Sequence, residues 1–223
     1  VVSKARAVAG GGRAVEVPPS RLVGWYTRFG ERHGGVVATS LTATSVRVTA
    51  ADGATATCAV PFGPLSTVGA FDGMAVEPLV SHLARPRRIG LVLVRLGGHS
   101  VGVGVGGRIV LSRTGNRLVH GRSAAGGWSQ HRFARRREGQ AREALRAAAT
   151  DVFDVLVPEV STLDAVVLGG DRSALDELRA DARLAKVFAL AEPRVLDVPE
   201  PRRAVLDDAA ARALAVEIVV RDP

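Results

Sequence analysis

Between residues 89 and 157 the hydrophobic period of the chain changes once, and that change limits what it can fold into. IGLVLVRLGG (89–98) is nearly all apolar, SVGVGVGG (100–107) alternates valine with glycine, and RIVLSRTGNRLVH (108–120) carries another strand, or two. Tight glycine turns separate them, which predicts a meander whose first strand is covered on both faces. From Ser129 to Val157 the apolar positions recur at helical spacing instead. Leu145, Ala148, Ala149, Val152 and Leu156 share one face, and Pro158 is the stop. Further on, DAVVLGG (164–170) reads as a buried strand and DRSALDELRADARLA (171–185) as a helix. KVFALAEPRVLDV holds a strand, EPRRAVLDDAAARALA a helix and VEIVV a last strand.

The order β-β-β-α-β-α-β-α, with a final β, is that of an α/β unit. It predicts a ribonuclease-H-like mixed sheet with helices over residues 88–223. The remainder is organised differently, making the whole chain α+β. Residues 1–13 read as a disordered start, 14–75 as a small α+β N-terminal unit and 76–87 as a connector. In the N-terminal unit, Ser20 is the expected cap of a short helix through LVGWYTRFGERHG, and Gly34-Gly35 its stop. VVATSLTATSVRVTA and ATATCAVPF alternate as strands do, and Ala51-Asp52-Gly53 between them is a hairpin signal. Residues 61–87 are rich in proline and glycine, with a short helix through VSHLA.

The net charge is +8, and among the 30 basic residues only Lys4 and Lys186 are lysines, so the partner expected is polyanionic. Arginine forks onto phosphate and stacks on bases, which favours RNA. The single cysteine, Cys58, excludes an internal disulfide and a cysteine metal site, and its strand context makes it a core residue. The expected compartment is the cytoplasm. No apolar run reaches the ~18 residues of a membrane span. The opening stretch is too broken by charge and glycine for a signal peptide.

Several motifs lead elsewhere and fail on context. GVGVGG (102–107) spells a dinucleotide fingerprint, but a strand, RIVLS, follows it where a helix is required, so no nucleotide cofactor is expected. The five histidines, His33, His82, His99, His120 and His131, have no metal-ligand spacing, and no metal is expected. A ribonuclease-H-like nuclease needs carboxylates from its first strand to hold metal, whereas IGLVLVR and the strands beside it carry none. Asp171, after Gly169-Gly170, occupies a crevice position of α/β folds and reads first as a helix cap.

One stretch remains, HGRSAAGGWSQHRFARRREGQAREAL (120–145). It resembles the middle domain of the eukaryotic and archaeal class-1 peptide-chain release factors, a ribonuclease-H-like unit. There a basic loop, a Gly-Gly-Gln tip and an Arg-Phe-x-Arg signature open a long helix. Here His120-Gly121-Arg122, Gly126-Gly127 and Arg132-Phe133-Ala134-Arg135 stand in that order, and VVLGGDRSALDEL resembles the strand, turn and helix that come next. Trp128 follows the two glycines, and the glutamine arrives later as Gln130. That Gly-Gly-x-Ser-Gln form looks like a bacterial branch of the Vms-type release-factor family of ribosome quality control.

The resemblance implies a peptidyl-tRNA hydrolase acting on the large ribosomal subunit and its rRNA in rescue. Gly126, Gly127, Ser129 and Gln130 form its tip. Trp128, Arg122, Arg132, Arg135, Arg136, Arg137, Arg142 and Arg146 contact RNA. It implies no cofactor, and the stop-codon-reading domain of true release factors has no counterpart here. The alternative reading is a non-catalytic ribosome- or RNA-binding surveillance factor.

Overall fold

The computed structural model describes residues 5–95, 97–116 and 129–223. It divides into two compact units, Val1–Pro86 with Leu214–Pro223, and Arg87–Ala213.

The first unit begins with a two-residue strand, β1 (Arg6–Ala7), which pairs antiparallel with β2 (Arg13–Val17). The expected disordered start therefore gives way to paired backbone from Arg6. A 3-10 turn over Pro19–Arg21 leads into α1 (Leu22–Arg32). Ser20 lies inside that turn and does not cap the helix, which has Arg21 at its N-cap without a side-chain hydrogen bond. Gly34 and Gly35 do end it, with φ of +77° and +104°, a conformation that favours glycine. Leu22, Tyr26 and Phe29 recur at helical spacing and are buried.

VVATSLTATSVRVTA is two strands, β3 (Val36–Leu41) and β4 (Ser45–Ala50), joined without glycine or proline. The Thr42 hydroxyl makes that turn by accepting from the Ser45 N–H at 2.9 Å. β5 (Thr55–Ala59) follows the Asp52-Gly53 turn, and β6 (Gly69–Asp72) returns to β3. The expected connector is instead part of this unit. Its helix α2 (Glu77–Leu83) puts Leu79 and Leu83 into the same core as Tyr26, Val46 and Cys58.

The second unit starts at β7 (Arg88–Arg95), whose residues 89–94 are all buried. β8 (Gly98–Val105) and β9 (Arg108–Asn116) complete the meander. α3 (Ser129–Leu156) is followed by β10 (Ala165–Gly170), α4 (Arg172–Arg179), a short α5 (Ala185–Phe188), β11 (Ala191–Leu196) and α6 (Arg203–Ala213). The sheet order is β11-β10-β7-β8-β9. β10 is parallel to both its neighbours, while β8 runs antiparallel to β7 and β9. This is the expected mixed, ribonuclease-H-like sheet.

Both faces of it are covered. Ala148, Val152 and Leu156 of α3, with Leu175 and Leu178 of α4, meet Val92, Val94, Val101 and Val103. On the other face α6 packs close because β8 carries glycines. A Cβ on Gly102 would lie 2.7 Å from the Leu111 carbonyl oxygen and 3.0 Å from Leu206 Cδ2. GVGVGG is thus sheet and hairpin turn, with Gly106 and Gly107 at φ +57° and +79°.

The final strand, β12 (Val216–Arg221), corrects the expected boundary. It belongs to the first unit, where it pairs antiparallel with both β2 and β5. The first sheet is therefore seven-stranded, in the order β1-β2-β12-β5-β4-β3-β6. No helix among the described residues is long and apolar enough to cross a membrane.

Candidate functional site

The stretch singled out by the sequence joins β9 to α3. Arg122, Gly126, Gly127 and Trp128 lie outside the described residues. Ser129 and Gln130 are the first two residues of α3. That helix has 28 residues and is about 42 Å long at ~1.5 Å per residue. Among its residues from 139 on, the first buried one is Ala148. Its C-terminal half is thus the part held by the core.

At ~100° per residue, positions 132, 135, 136, 142 and 146 share about a third of the circumference, opposite the positions of Ala148, Val152 and Leu156. Arg137 stands apart from that arc. Arg142 and Arg146 are exposed, and neither forms an ion pair among the described residues.

The helix is tied to the sheet by a polar cluster with no sequence signature beyond two acids three residues apart. His99 of β8 places Nε2 2.7 Å from Asp151 Oδ2. Arg113 of β9 donates from Nη1 to Asp151 Oδ1 at 3.0 Å and to Asp154 Oδ2 at 2.7 Å. Hydrogen bonds to Asp154 and then Asp151 hold the Arg113 guanidinium above its ordinary pKa. His99 is buried, and the ring fills the space where a side chain at Gly115 would begin, 2.3 Å from His99 Cε1. The cluster therefore fastens α3 to β9, the described strand that precedes it in the chain.

Asp171 sits at the N-cap position of α4, but its side chain makes no capping bond. It faces Arg95, whose Nε lies 3.5 Å from Oδ1. Both line a crevice at the ends of β7 and β10, together with His99, Leu145, Ala148 and Glu177. This is the usual ligand position of such sheets, yet its walls are mainly apolar and hold two acids facing one arginine. Among the described residues no three metal-ligating side chains lie together.

Residues 87–219 match the family model described as the Actinobacteria/chloroflexi VLRF1 release factor. No curated protein matches the chain. Among solved structures it is similar to an archaeal protein, with 15% identity, coverage of 75% of this chain and 52% of that one, and a TM-score of 0.43. It is also similar to the archaeal translation termination factor aRF1, at 14% identity, 96% and 68% coverage and a TM-score of 0.45. A third is Dom34 of S. cerevisiae, a translation termination-like factor involved in RNA quality control pathways, at 8% identity, 93% and 66% coverage and a TM-score of 0.36. The chain spans about half the length of the first of these and about two thirds of the others. At such identities and TM-scores these likenesses assign no activity. The family match, in contrast, covers more than half of the 223 residues, and the chain belongs to the VLRF1 release factor family of Actinobacteria and Chloroflexi.

Proposed function

We propose that this chain is a peptidyl-tRNA hydrolase of ribosome rescue, acting in the cytoplasm on nascent chains held by the large subunit. The single observation that supports this most is the Gly-Gly-Trp-Ser-Gln run, placed where a release-factor family member opens its long helix. The reaction adds water to the ester carbonyl carbon. The bond from that carbon to the ribose oxygen of the tRNA breaks, one water proton goes to that oxygen, and the peptide leaves as a carboxylic acid that gives the second proton to solvent and becomes a carboxylate. Glutamine is no general base, so the tip contributes by orienting water and donating to the developing oxyanion. Gln130 does this with Ser129 beside it, while Gly126 and Gly127 keep the tip slender enough to approach RNA backbone. Trp128 stacks on a base. Arg122, Arg132, Arg135, Arg136, Arg137, Arg142 and Arg146 line the phosphates of the large-subunit rRNA and the tRNA. The chemistry asks for neither a metal nor a nucleotide cofactor.

The test is peptide release from stalled large-subunit complexes. Gln130→Ala is expected to slow release by about 10²-fold or more while binding persists. Undiminished release would remove Gln130 from the reaction. One observation favours a second reading, a non-catalytic RNA-binding surveillance factor: Trp128, and not glutamine, follows the two glycines. Wild-type protein that binds large subunits and never deacylates peptidyl-tRNA would establish it.

A further inference from the structure

The first unit carries a basic groove with an aromatic wall that the tip does not use. Residues Arg13, Val15 and Val17 of β2 alternate onto the sheet face that α1 covers, as do Val216, Ile218 and Val220 of β12. Val17 and Val216 are sealed in the core at one end of that face. At the other end Arg13, which pairs in register with Val220, lies where the helix leaves the sheet open. The result is an open groove walled by Trp25, Phe29, Arg28, Arg32 and the β2–β12 pair.

Its chemistry is specific. Trp25 is only partly buried, yet it is fixed by two rings, stacked on Phe29 at 5.9 Å with planes 5° apart and edge-on to Tyr26 at 5.1 Å. A partly buried indole held in one orientation, with the rest of its surface open to the groove, is a stacking platform whose ordering is already complete. Arg28 and Arg32, one helical turn apart, lie on the same side of α1. Both are exposed and neither forms an ion pair among the described residues. Among the described residues the one charged partner of Arg13 is the exposed Asp222 at 3.5 Å. Three cations around one aromatic face match a flat base with phosphates on either side of it.

We infer that this groove binds single-stranded RNA, one base stacking on Trp25 and its flanking phosphates on Arg13, Arg28 and Arg32. The inference is independent of the hydrolase reading. It gives the first unit an RNA contact of its own, on a sheet face that takes one wall from the last strand of the chain.

Tryptophan fluorescence reads this site directly, because the chain has two tryptophans and Trp128→Phe leaves Trp25 alone. In that full-length background, a 12-nucleotide single-stranded RNA is expected to quench Trp25 emission. Arg28→Ala/Arg32→Ala, two exposed positions with no place in the core, should raise the midpoint roughly tenfold and flatten its salt dependence by ~0.7 per lost phosphate contact. Arg47→Ala/Arg172→Ala removes the same charge from exposed sites elsewhere and should leave the midpoint within about twofold. Circular dichroism confirms that each variant is folded. The inference is overturned if RNA leaves Trp25 emission unchanged, or if the two double variants shift the midpoint equally. It is also overturned if a nucleoside monophosphate quenches at the same concentration as the oligomer, which makes the groove a small-molecule pocket, or if an acidic peptide outcompetes RNA. Release by Gln130 is measured separately, so either reading can fail without the other.

Discussion

His99 Nε2 lies 2.7 Å from Asp151 Oδ2, and this contact joins strand β8 to helix α3 at the level where the helix enters the core. The other oxygen of the same carboxylate accepts from Arg113 of β9. Asp151 is thus the one acid that both strands share, and its side chain is mostly buried, whereas that of Asp154 is 43% exposed. Removing it leaves a buried imidazole without its partner, and that loss exceeds the value of the bond itself. Asp151→Ala is expected to lower unfolding free energy by about 2–3 kcal/mol, and Asp154→Ala by less than about 1. Urea denaturation of both variants checks this, and equal losses would show that Asp151 has no special place in the tie.

The glycines of β8 make a sharper, local prediction. A methyl group at Gly102 meets a backbone carbonyl at 2.7 Å and Leu206 of α6 at 3.0 Å, while one at Gly104 meets Leu91 and Ala210 at 3.4 and 3.7 Å. The first overlaps the backbone of β9 and crowds Leu206, so strand or helix must shift; the second is ordinary packing. Gly102→Ala should therefore destabilise by about 1–3 kcal/mol and Gly104→Ala by much less. Thermal melts of the two variants suffice. The reverse ranking would mean that β9 and α6 do not close on Gly102 as described.

These contrasts also show where sequence reading succeeds and where it stops. The meander, α3 and the two crossovers were legible because each is a local pattern: a period, a glycine turn, a proline stop. α3 ends at Leu156, two residues before Pro158. The destination of VEIVV was not legible. Its alternation says strand, but pairing with β2 and β5 is a contact between residues about 200 and 160 positions apart, and nothing in the segment itself encodes it. The Thr42 turn escaped because a hydroxyl took the part usually played by glycine or proline. The candidate tip rests on its motif alone, since Arg122 and Gly126 to Trp128 lie outside the described residues. The His99–Asp151–Arg113 tie was not legible, since it draws single polar residues from three elements.

Burial gives the first unit a pH dependence. Cys58 sits in β5 with Tyr26 Oη 3.7 Å from Sγ, and burial pushes its thiol from an ordinary value of 9.0 up to about 11. Burial likewise raises the Tyr26 phenol well above 10.0. Both folded-state pKa values are raised, so the folded state holds protons that the unfolded chain has released. Stability from these groups is complete below pH 9.0 and falls as pH rises toward about 11. Urea midpoints should therefore drop across that interval, and Cys58→Ser should not abolish the drop, because Tyr26 continues it at higher pH. At pH 8 a thiol reagent should modify Cys58 far more slowly in native protein than in urea. Equal rates would mean that the thiol is accessible and the core around Tyr26 open.

The arginine arc of α3 separates binding from folding. Arg142 and Arg146 are exposed, lie one turn apart, and precede the buried Ala148. Replacing both with alanine touches no core contact, so stability should change by no more than about 0.5 kcal/mol. If they lie along rRNA or tRNA phosphates, affinity for large subunits should fall, and the slope of log K against log salt should flatten by about 1.4–1.8, the loss of two phosphate contacts. The distinction from a catalytic residue lies in the kinetics. Arg142→Ala/Arg146→Ala should raise the concentration of factor needed for half-maximal release and leave the saturating rate nearly intact, since phosphate contacts position the helix equally before and during bond cleavage. Gln130→Ala should do the opposite. A double variant with unchanged salt slope would take these two arginines out of the RNA interface and leave them as ordinary solvated cations on the back of the helix.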